Sequence, residues 1–551
     1  MKMNIYRSIL KTAGLASVLV LASCQDLLEL EPQNSFSEES AFSSPDRVAL
    51  SVAGMYDAAQ SGFYAGGAVR GYPFGAAHVE QGDNRGEDVV NTQLFYAVTY
   101  EGTYDPTTAN NDFMWQTLYA LINRCNVVLQ GLNGVTPSGT MTQPVIDGYK
   151  GEARFLRALA YHQLAIHFCR PYSDNPTTAL SGVPIRLTAI TSGTSAEAEL
   201  AKSRNTVAEV YTQILSDLDY AETVLPETRT PLGVQISRAT KAAAVALKTR
   251  IYLHMGNFAM VITEGNKLAE EASAPFSPAA GYGTYTLPAN PYAAFSSAGS
   301  KSNSESIFSM ENDAADNAGV NGALPAMYST AASGGRGLVG ISPLLWNEPW
   351  FLTTDVRKSA TFTVQDNPGG GKAAMYTRKY TDITARSDNA PILRYAEILL
   401  NMAEAIQRQV GATPDARAFA MYNAVRSRSV TDPATDNIAD FATGNDLIQA
   451  ILNERRIEFV CEGLRWGDIS RLAQDATFNT WGGGVPAKIS RNIANYSAYY
   501  TNDPATNTTI LTTPALNHAA KPYADFRFLW PIPFSETSLN PVLAEEQNPG
   551  Y

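Results

Sequence analysis

Cysteine is scarce, with four copies in 551 residues, at Cys24, Cys125, Cys169 and Cys461. Neither their number nor their spacing suits a disulfide framework or a zinc site. Histidine is almost as thin: the five copies are scattered, and His162 and His167 sit five apart on different faces of one predicted helix. Each reads as a core or surface histidine, so no metal and no other cofactor is expected. Charged residues make up only 17% and lean acidic, for a net charge of −12, which argues against nucleic acid or anionic lipid as a partner. Beyond the N-terminus no stretch approaches the roughly 18 apolar residues that a spanning helix needs. The H-E-x-x-H and G-x-S-x-G signatures are absent. Gly335 to Gly340 spell G-x-G-x-x-G, but they follow no convincing strand and run into Ser342-Pro343 instead of a helix. Gly369-Gly370-Gly371-Lys372 suggests a phosphate loop, yet Asp366 stands five before Gly371 and Ala373 replaces the Ser/Thr. A carboxylate pair for glycoside hydrolysis is set by spatial pairing, so a chain with 53 acids neither displays nor excludes one.

What is present begins with a signal. Lys2, Arg7 and Lys11 form a basic start, Ala13 to Leu21 an apolar core, and Leu21-Ala22-Ser23-Cys24 resembles a bacterial lipobox. Residues 1–23 therefore read as a lipoprotein signal peptide and Cys24 as the lipidated residue, whose acyl chains tether an otherwise soluble body to a membrane. Removing residues 1–23 takes three basic and no acidic residues, leaving 38 Lys+Arg against 53 Asp+Glu, a net −15. Residues 24–45 read as a polar, acidic tether.

The body divides into residues 46–274 and 275–551. In the first part, apolar periodicity predicts helices over 46–60, 112–129, 145–168, 206–225, 239–254 and 258–272. Thr206 and Glu209 supply a capping box. The segment 112–129 is apolar nearly all round, so Trp115 belongs to the core. The pair joined by Met255-Gly256-Asn257 resembles a tetratricopeptide repeat, a unit that stacks with others of its kind. Between the first two helices, 62–91 is rich in glycine and aromatics and reads as a long functional loop holding Phe63, Tyr64, Tyr72, Phe74, His78, Asp83, Asn84 and Arg85. In the second part, 275–341 is Ser/Gly/Ala/Asn-rich and predicts loops and short strands. Helices resume at 392–409 and 415–428, 477–523 is again irregular, and Pro531 and Pro533 impose an extended end. The fold class is mainly α, with tetratricopeptide-like helix pairs forming a scaffold and a loop-rich, irregular lobe packed on it.

Asn453 to Leu472 stands apart. Ile448, Leu452, Arg455 and Phe459 share one helical stripe, which places an arginine among apolar residues with Glu458 and Glu462 following on the same face. Gly463 is placed to end the helix and Asp468 to cap a second one. Two readings fit: an acid/base site, or a charged clamp between packed elements; the local pattern favours the clamp.

Several motifs then converge. G-E-A-R-F-L-R-A-L-A-Y (151–161), T-V-A-E-V-Y-x-x-I-x-x-D-L (206–218), R-Y-A-E-I-L-L-N-M-A-E-A (394–405), E-R-R-I-E-F (454–459), E-G-L-R-W-G-D (462–468), W-P-I-P, Q-N-P-G-Y and the lipobox, in order over nearly the whole chain, resemble the SusD/RagB family of Bacteroidetes. Asp26, Glu29 and Glu31 after Cys24 likewise resemble export signals of Bacteroidetes surface lipoproteins. The resemblance implies an outer-membrane lipoprotein facing the cell exterior, which captures a nutrient and passes it to a SusC-like TonB-dependent β-barrel without catalysis. It implies a glycan ligand, with a peptide as the variant, and it moves Arg455, Glu458 and Glu462 to a structural clamp. Around 82–92 this chain has no aromatic where starch-binding members have them. The expected ligand contacts are therefore Tyr72, Phe74, Asp83, Asn84 and Arg85 together with Tyr328, Arg336 and Trp346, since flat rings cover sugar faces and polar groups orient them. A surface glycoside hydrolase and a purely structural adaptor stand as the alternatives.

Overall fold

The computed structural model describes residues 38–365, 372–430, 437–500 and 514–551. The signal peptide, Cys24 and the tether ahead of residue 38 lie outside the described residues, as do Gly369 to Gly371. Helices dominate. Those that build the scaffold and the site are, in chain order and leaving out shorter helices between them, α1 (Pro45–Gln60), α2 (Ala76–Asn84), α3 (Ala109–Asn133), α4 (Gln143–Phe168), α5 (Val207–Val224), α6 (Lys241–His254), α7 (Phe258–Gly265), α8 (Tyr395–Val410), α9 (Ala416–Arg426), α10 (Gly444–Glu458) and α11 (Arg465–Arg471). Packing follows sequence order: α3 lies on α4, α4 on α5, α5 on α6, α6 on α7, α7 on α8, and α8 on both α9 and α10. The tetratricopeptide-like pair α6–α7 is thus one step in a continuous stack, and the mainly α expectation holds. Local chemistry sets the boundaries. Thr206 and Glu209 form the predicted capping box on α5, Asn257 caps α7 by accepting from the Met260 N–H, and Gly256 takes the left-handed turn (φ +69°) that joins α6 to α7.

Short strands occupy the irregular lobe: β1 (Val89–Asn91), β2 (Ser306–Met310), β3 (Val339–Ile341), β4 (Thr363–Gln365), β5 (Met375–Thr377) and β6 (Ala390–Arg394). One antiparallel sheet runs β1-β3-β5-β4, and β2 pairs with β6. Because β1 comes from the first half of the chain and its partner β3 from the second, this sheet joins the two. The C-terminal segment binds them again: the Trp530 N–H donates to the His167 carbonyl (3.0 Å), and Asn548 Nδ2 donates to the carbonyls of Phe168 (2.9 Å) and Trp530 (2.7 Å).

Four expectations need correcting. Residues 62–91 are not one loop, since they contain α2 and β1. All nine residues of α2 are buried, so the helix has no polar face and leaves no amphipathic period in the sequence. The segment from 392 begins as strand, because Ile392 and Leu393 belong to β6, which runs straight into α8. The second tetratricopeptide helix stops at Gly265, against which Met402 of α8 packs so closely that a Cβ would lie 2.0 Å from its sulfur. Finally, α10 ends at Glu458 instead of running to Gly463, and Asp468 lies within α11, which starts after Leu464.

Gly463 keeps its left-handed conformation (φ +79°), but for a different purpose. Its N–H donates to Asp83 Oδ1 (3.0 Å), and its backbone rests on α2 at Gly82, where a Cβ would sit 2.1 Å from the Gly463 carbonyl oxygen. Neither backbone can yield cheaply. Gly82→Ala is therefore expected to destabilise the protein by about 2 kcal/mol or more. A thermal melt that coincides with the wild type would refute this close approach.

Candidate functional site

Three loops converge at the edge of the β1–β3 pair. The first leaves α1 and turns at Ala65 to Gly67, where Gly66 (φ +70°) and Gly67 (φ +75°) hold conformations that other residues rarely adopt. The Tyr64 N–H donates to the Ala68 carbonyl (2.8 Å), closing the turn. The second follows β1, with Asn91 Nδ2 donating to the Phe95 carbonyl (2.6 Å) and the Thr92 N–H to the Leu338 carbonyl (2.8 Å). The third precedes β3, and its Arg336 N–H donates to the Ala326 carbonyl (2.9 Å).

Together they build a row of alternating rings and guanidinium groups. The Arg70 guanidinium lies 4.3 Å above the Tyr64 ring and 5.1 Å from that of Phe95, and the Arg336 guanidinium lies 4.6 Å from the same Phe95 ring. Tyr64 packs on Phe113 (4.3 Å) and stacks on buried Tyr72 (6.0 Å, 16° between planes). The four residues of the row are partly exposed, and Phe63, Val69 and Leu94 on its rim are open to solvent. Phe63 continues the surface into a cleft of about 290 Å³ lined also by Gln116, Asn123, Arg186 and Glu536. Among the described residues Arg70 Nε and Arg336 Nε, both buried, have no hydrogen-bond partner, and buried Asn321 Oδ1, adjoining the Gly322 that packs on the Arg70–Gly71 backbone, has none either. Rings that can cover a sugar face thus stand beside two guanidinium groups that no carboxylate holds among the described residues. Among the described residues no His/Cys/Asp/Glu cluster could hold a metal ion.

Of the residues expected to contact ligand, Arg336 alone lies on this surface. Tyr72 supports it from below. The others are buried and serve the core. Phe74 meets His78 edge-on, Tyr328 donates from its hydroxyl to Asp83 Oδ2 (3.0 Å), and the Asn84 carbonyl accepts from Lys488. The Arg85 guanidinium is stacked 3.6 Å over Trp466, and Trp346 packs between Phe351 and Tyr500. Burial removes all of these from reach of a surface ligand. Tyr64, Arg70 and Phe95 stand at this surface instead; the Gly66-Gly67 doublet between Tyr64 and Arg70 is the sequence signal for such an exposed turn.

The clamp is larger than three residues and differently paired. Arg455 does not reach Glu458 or Glu462. It bonds Asp468 (2.9 Å) and Asn401 (2.6 Å), because α10 ends at Glu458 and the following turn carries Glu462 elsewhere. Glu458 is held by Arg357 (2.9 Å), Arg394 (3.0 Å) and Arg428 (2.7 Å), and Glu462 by Lys379 (2.6 Å) and Arg394 (2.8 Å). With Arg426, Glu305, Asp355 and Glu454 this becomes a buried network of five cations and five anions. Burial alone would raise the Glu458 carboxyl, but Arg428, Arg394 and Arg357 outweigh it and hold the group far below the ordinary carboxylate range. A group so neutralised and enclosed is built to hold elements together and is unsuited to accept a substrate proton.

Two family models match the chain: one described as the SusD family over residues 352–551, and one described as starch-binding, associating with outer membrane, over residues 26–253. The chain belongs to the SusD/RagB family. Its relatives include SusD-like protein P38 of Formosa agariphila, 24% identical over 501 residues that span 83% of this chain and 90% of that one. SusD-like protein P2 of the same organism is 25% identical over 401 residues, 65% of this chain and 71% of its own. Among solved structures, a SusD superfamily protein from Bacteroides fragilis superposes with a TM-score of 0.70 at 28% identity, covering 91% of this chain and 99% of that one. The surface glycan-binding protein A of Bacteroides thetaiotaomicron shares the fold, with a TM-score of 0.64 at 18% identity over 93% of this chain and 100% of that one.

In this SusD/RagB member the ring-and-guanidinium row sits above two buried acids of α2. Burial raises Glu80 well above its usual range; nearby Asp83 adds to this and Arg336 opposes it. Burial likewise pushes Asp83 up to about 8 against the hydrogen bonds from Tyr328 and Gly463. A carboxyl whose folded value lies above its unfolded value contributes stability that is complete below the unfolded value, near 4, and lost as pH rises through the folded one. Stability should accordingly fall as pH rises from about 4 through about 8, and Asp83→Asn should flatten that limb in melts recorded across the range. An unchanged limb in Asp83→Asn would assign the loss to another group.

Proposed function

We propose that this protein is a cell-surface glycan-binding protein that captures its ligand along Tyr64, Arg70, Phe95 and Arg336, does not cleave it, and delivers it to a SusC-like TonB-dependent barrel of the outer membrane. The observation that carries this reading is the partly exposed row itself: flat rings for sugar faces, beside guanidinium groups that no carboxylate holds among the described residues. Membership of a family described in part as starch-binding and associating with outer membrane supports the ligand class and a peripheral outer-membrane location, and the shared fold of a surface glycan-binding protein agrees with both. Cys24 provides the lipid anchor in this reading, with the body facing the exterior. No described helix is long and apolar enough to cross a membrane. The hydrolase alternative gains no support here, because Glu80 and Asp83, the acids beneath the row, are sealed from any scissile bond.

Retention on polysaccharide gels tests the binding half. The expected result is slowed migration in at least one glycan with no shortening of the polymer on long incubation. Steady release of reducing ends would refute it. Labelling with radioactive palmitate, abolished by Cys24→Ala, tests the anchor, and copurification of a large β-barrel from outer membranes tests delivery.

A further inference from the structure

We propose that the glycan is anionic, bearing uronate carboxylates or sulfate esters, and that Arg70 and Arg336 read its charge. This inference rests on the reading of the row as the glycan site. Many buried arginines of the protein end on carboxylates: Arg357, Arg394 and Arg428 in the clamp, Arg455 and Arg471 on Asp468, and Arg456 and Arg465 on Glu87 and Asp88. In a chain with 53 acids and 41 Lys+Arg such partners are abundant. Arg70 and Arg336 instead end on rings, and neither guanidinium has a hydrogen bond or an ion pair among the described residues. Phe95 holds both guanidinium groups on one partly exposed surface.

The acid that the field of Arg336 reaches, Glu80, is enclosed and bonded to nothing, and burial favours its neutral form. The row therefore carries two positive charges without a local counter-charge. A guanidinium fork matches a carboxylate or a sulfate in two parallel hydrogen bonds, roughly twice as strong as neutral ones. Cation–π stacking fixes the forks and leaves their edges free. The acidic balance of the whole chain opposes this locally favourable field, but charges farther away than about 8 Å are largely screened at physiological salt. The nearest charges decide, and those are the two arginines.

The test compares oligosaccharides matched in all but charge: hexagalacturonate against its fully methyl-esterified form, and κ-carrageenan oligosaccharides against their desulfated, uncharged counterparts, measured by calorimetry on the purified full chain. At least about a 10-fold preference for the charged member of one pair is expected, weakening as salt is raised. The pair that shows it tells uronate from sulfate. Arg70→Gln with Arg336→Gln should erase the preference while residual binding of the neutral member persists. Equal or tighter binding of both neutral members, or a preference that survives the double substitution, overturns the proposal and leaves glycan capture standing. Failure of the wild type to bind any member of either pair overturns the proposal; if polysaccharide gels also show no retention, the glycan reading falls with it.

Discussion

Replacing Arg394 by alanine is expected to destabilise the protein by about 3–5 kcal/mol. Arg394 closes β6 and enters the buried network, where it donates to Glu305, to Glu458 (3.0 Å) and to Glu462 (2.8 Å), on a side chain only 2% exposed. Truncation leaves three enclosed carboxylates with one fewer cation, and the cost of an uncompensated buried charge exceeds the net worth of the pair it belonged to. With an unfolding entropy that scales with length, the loss corresponds to a fall in melting temperature of roughly 3–4 °C for a chain this long. Arg394→Lys should recover part of it, since it restores the charge but not the planar fork. Calorimetry on the purified chain is the check. A shift under about 1 °C for Arg394→Ala would show that Arg428, Arg357 and Lys379 suffice and that the network is redundant. Acid has the same target: because Glu458 is held below its unfolded value, its contribution is present above about pH 4 and lost as pH falls below that.

The second large effect lies at the surface. Phe95→Ala should weaken glycan binding by about 1.5–3 kcal/mol, the value of covering one phenyl ring, or roughly 10- to 100-fold. The ring gives a sugar its apolar platform and positions Arg70 and Arg336, so one truncation removes the platform and disperses both donors. Phe95 is only partly buried, and its melting temperature should stay within about 1 °C of the wild type, as for most surface changes. A matched loss of stability and binding would make Phe95 a structural residue.

The scaffold was legible in the sequence wherever helices are amphipathic and capped. Val207, Ile214 and Leu218 of α5 repeat at helical spacing behind a Thr206–Glu209 box, and the helix forms where those marks place it. The helix α2 was hidden for the opposite reason. With His78, Glu80, Gln81, Asp83 and Asn84 all enclosed, it is polar by composition and core by position, and only its tertiary neighbours reveal that. The clamp was visible as a buried arginine beside acids, but its pairing was not. Glu458 finds Arg394 and Arg428 across 64 and 30 residues of sequence, distances over which helical spacing carries no information.

The site suffered from the same blindness. Tyr72, Phe74, Asp83, Asn84, Arg85, Tyr328 and Trp346 have the chemistry of ligand contacts and the burial of core. Tyr64, Arg70 and Phe95 are equally ordinary in sequence, and they become a surface only where three loops meet at the edge of β1 and β3. Arg336 lies on that surface because it belongs to one of those loops. Resemblance gave the family, whereas the proposed contact residues follow from exposure.

The central claim is that the row binds glycan and does nothing else to it. The most direct measurement is a polysaccharide array probed with the wild type and with a Tyr64→Ala, Arg70→Ala, Phe95→Ala triple variant of unchanged circular dichroism. The account predicts that the wild type is retained on at least one glycan, that the triple variant is not, and that the retained glycan is recovered at its original length. Retention of the triple variant at wild-type strength would place the binding surface elsewhere and contradict the account.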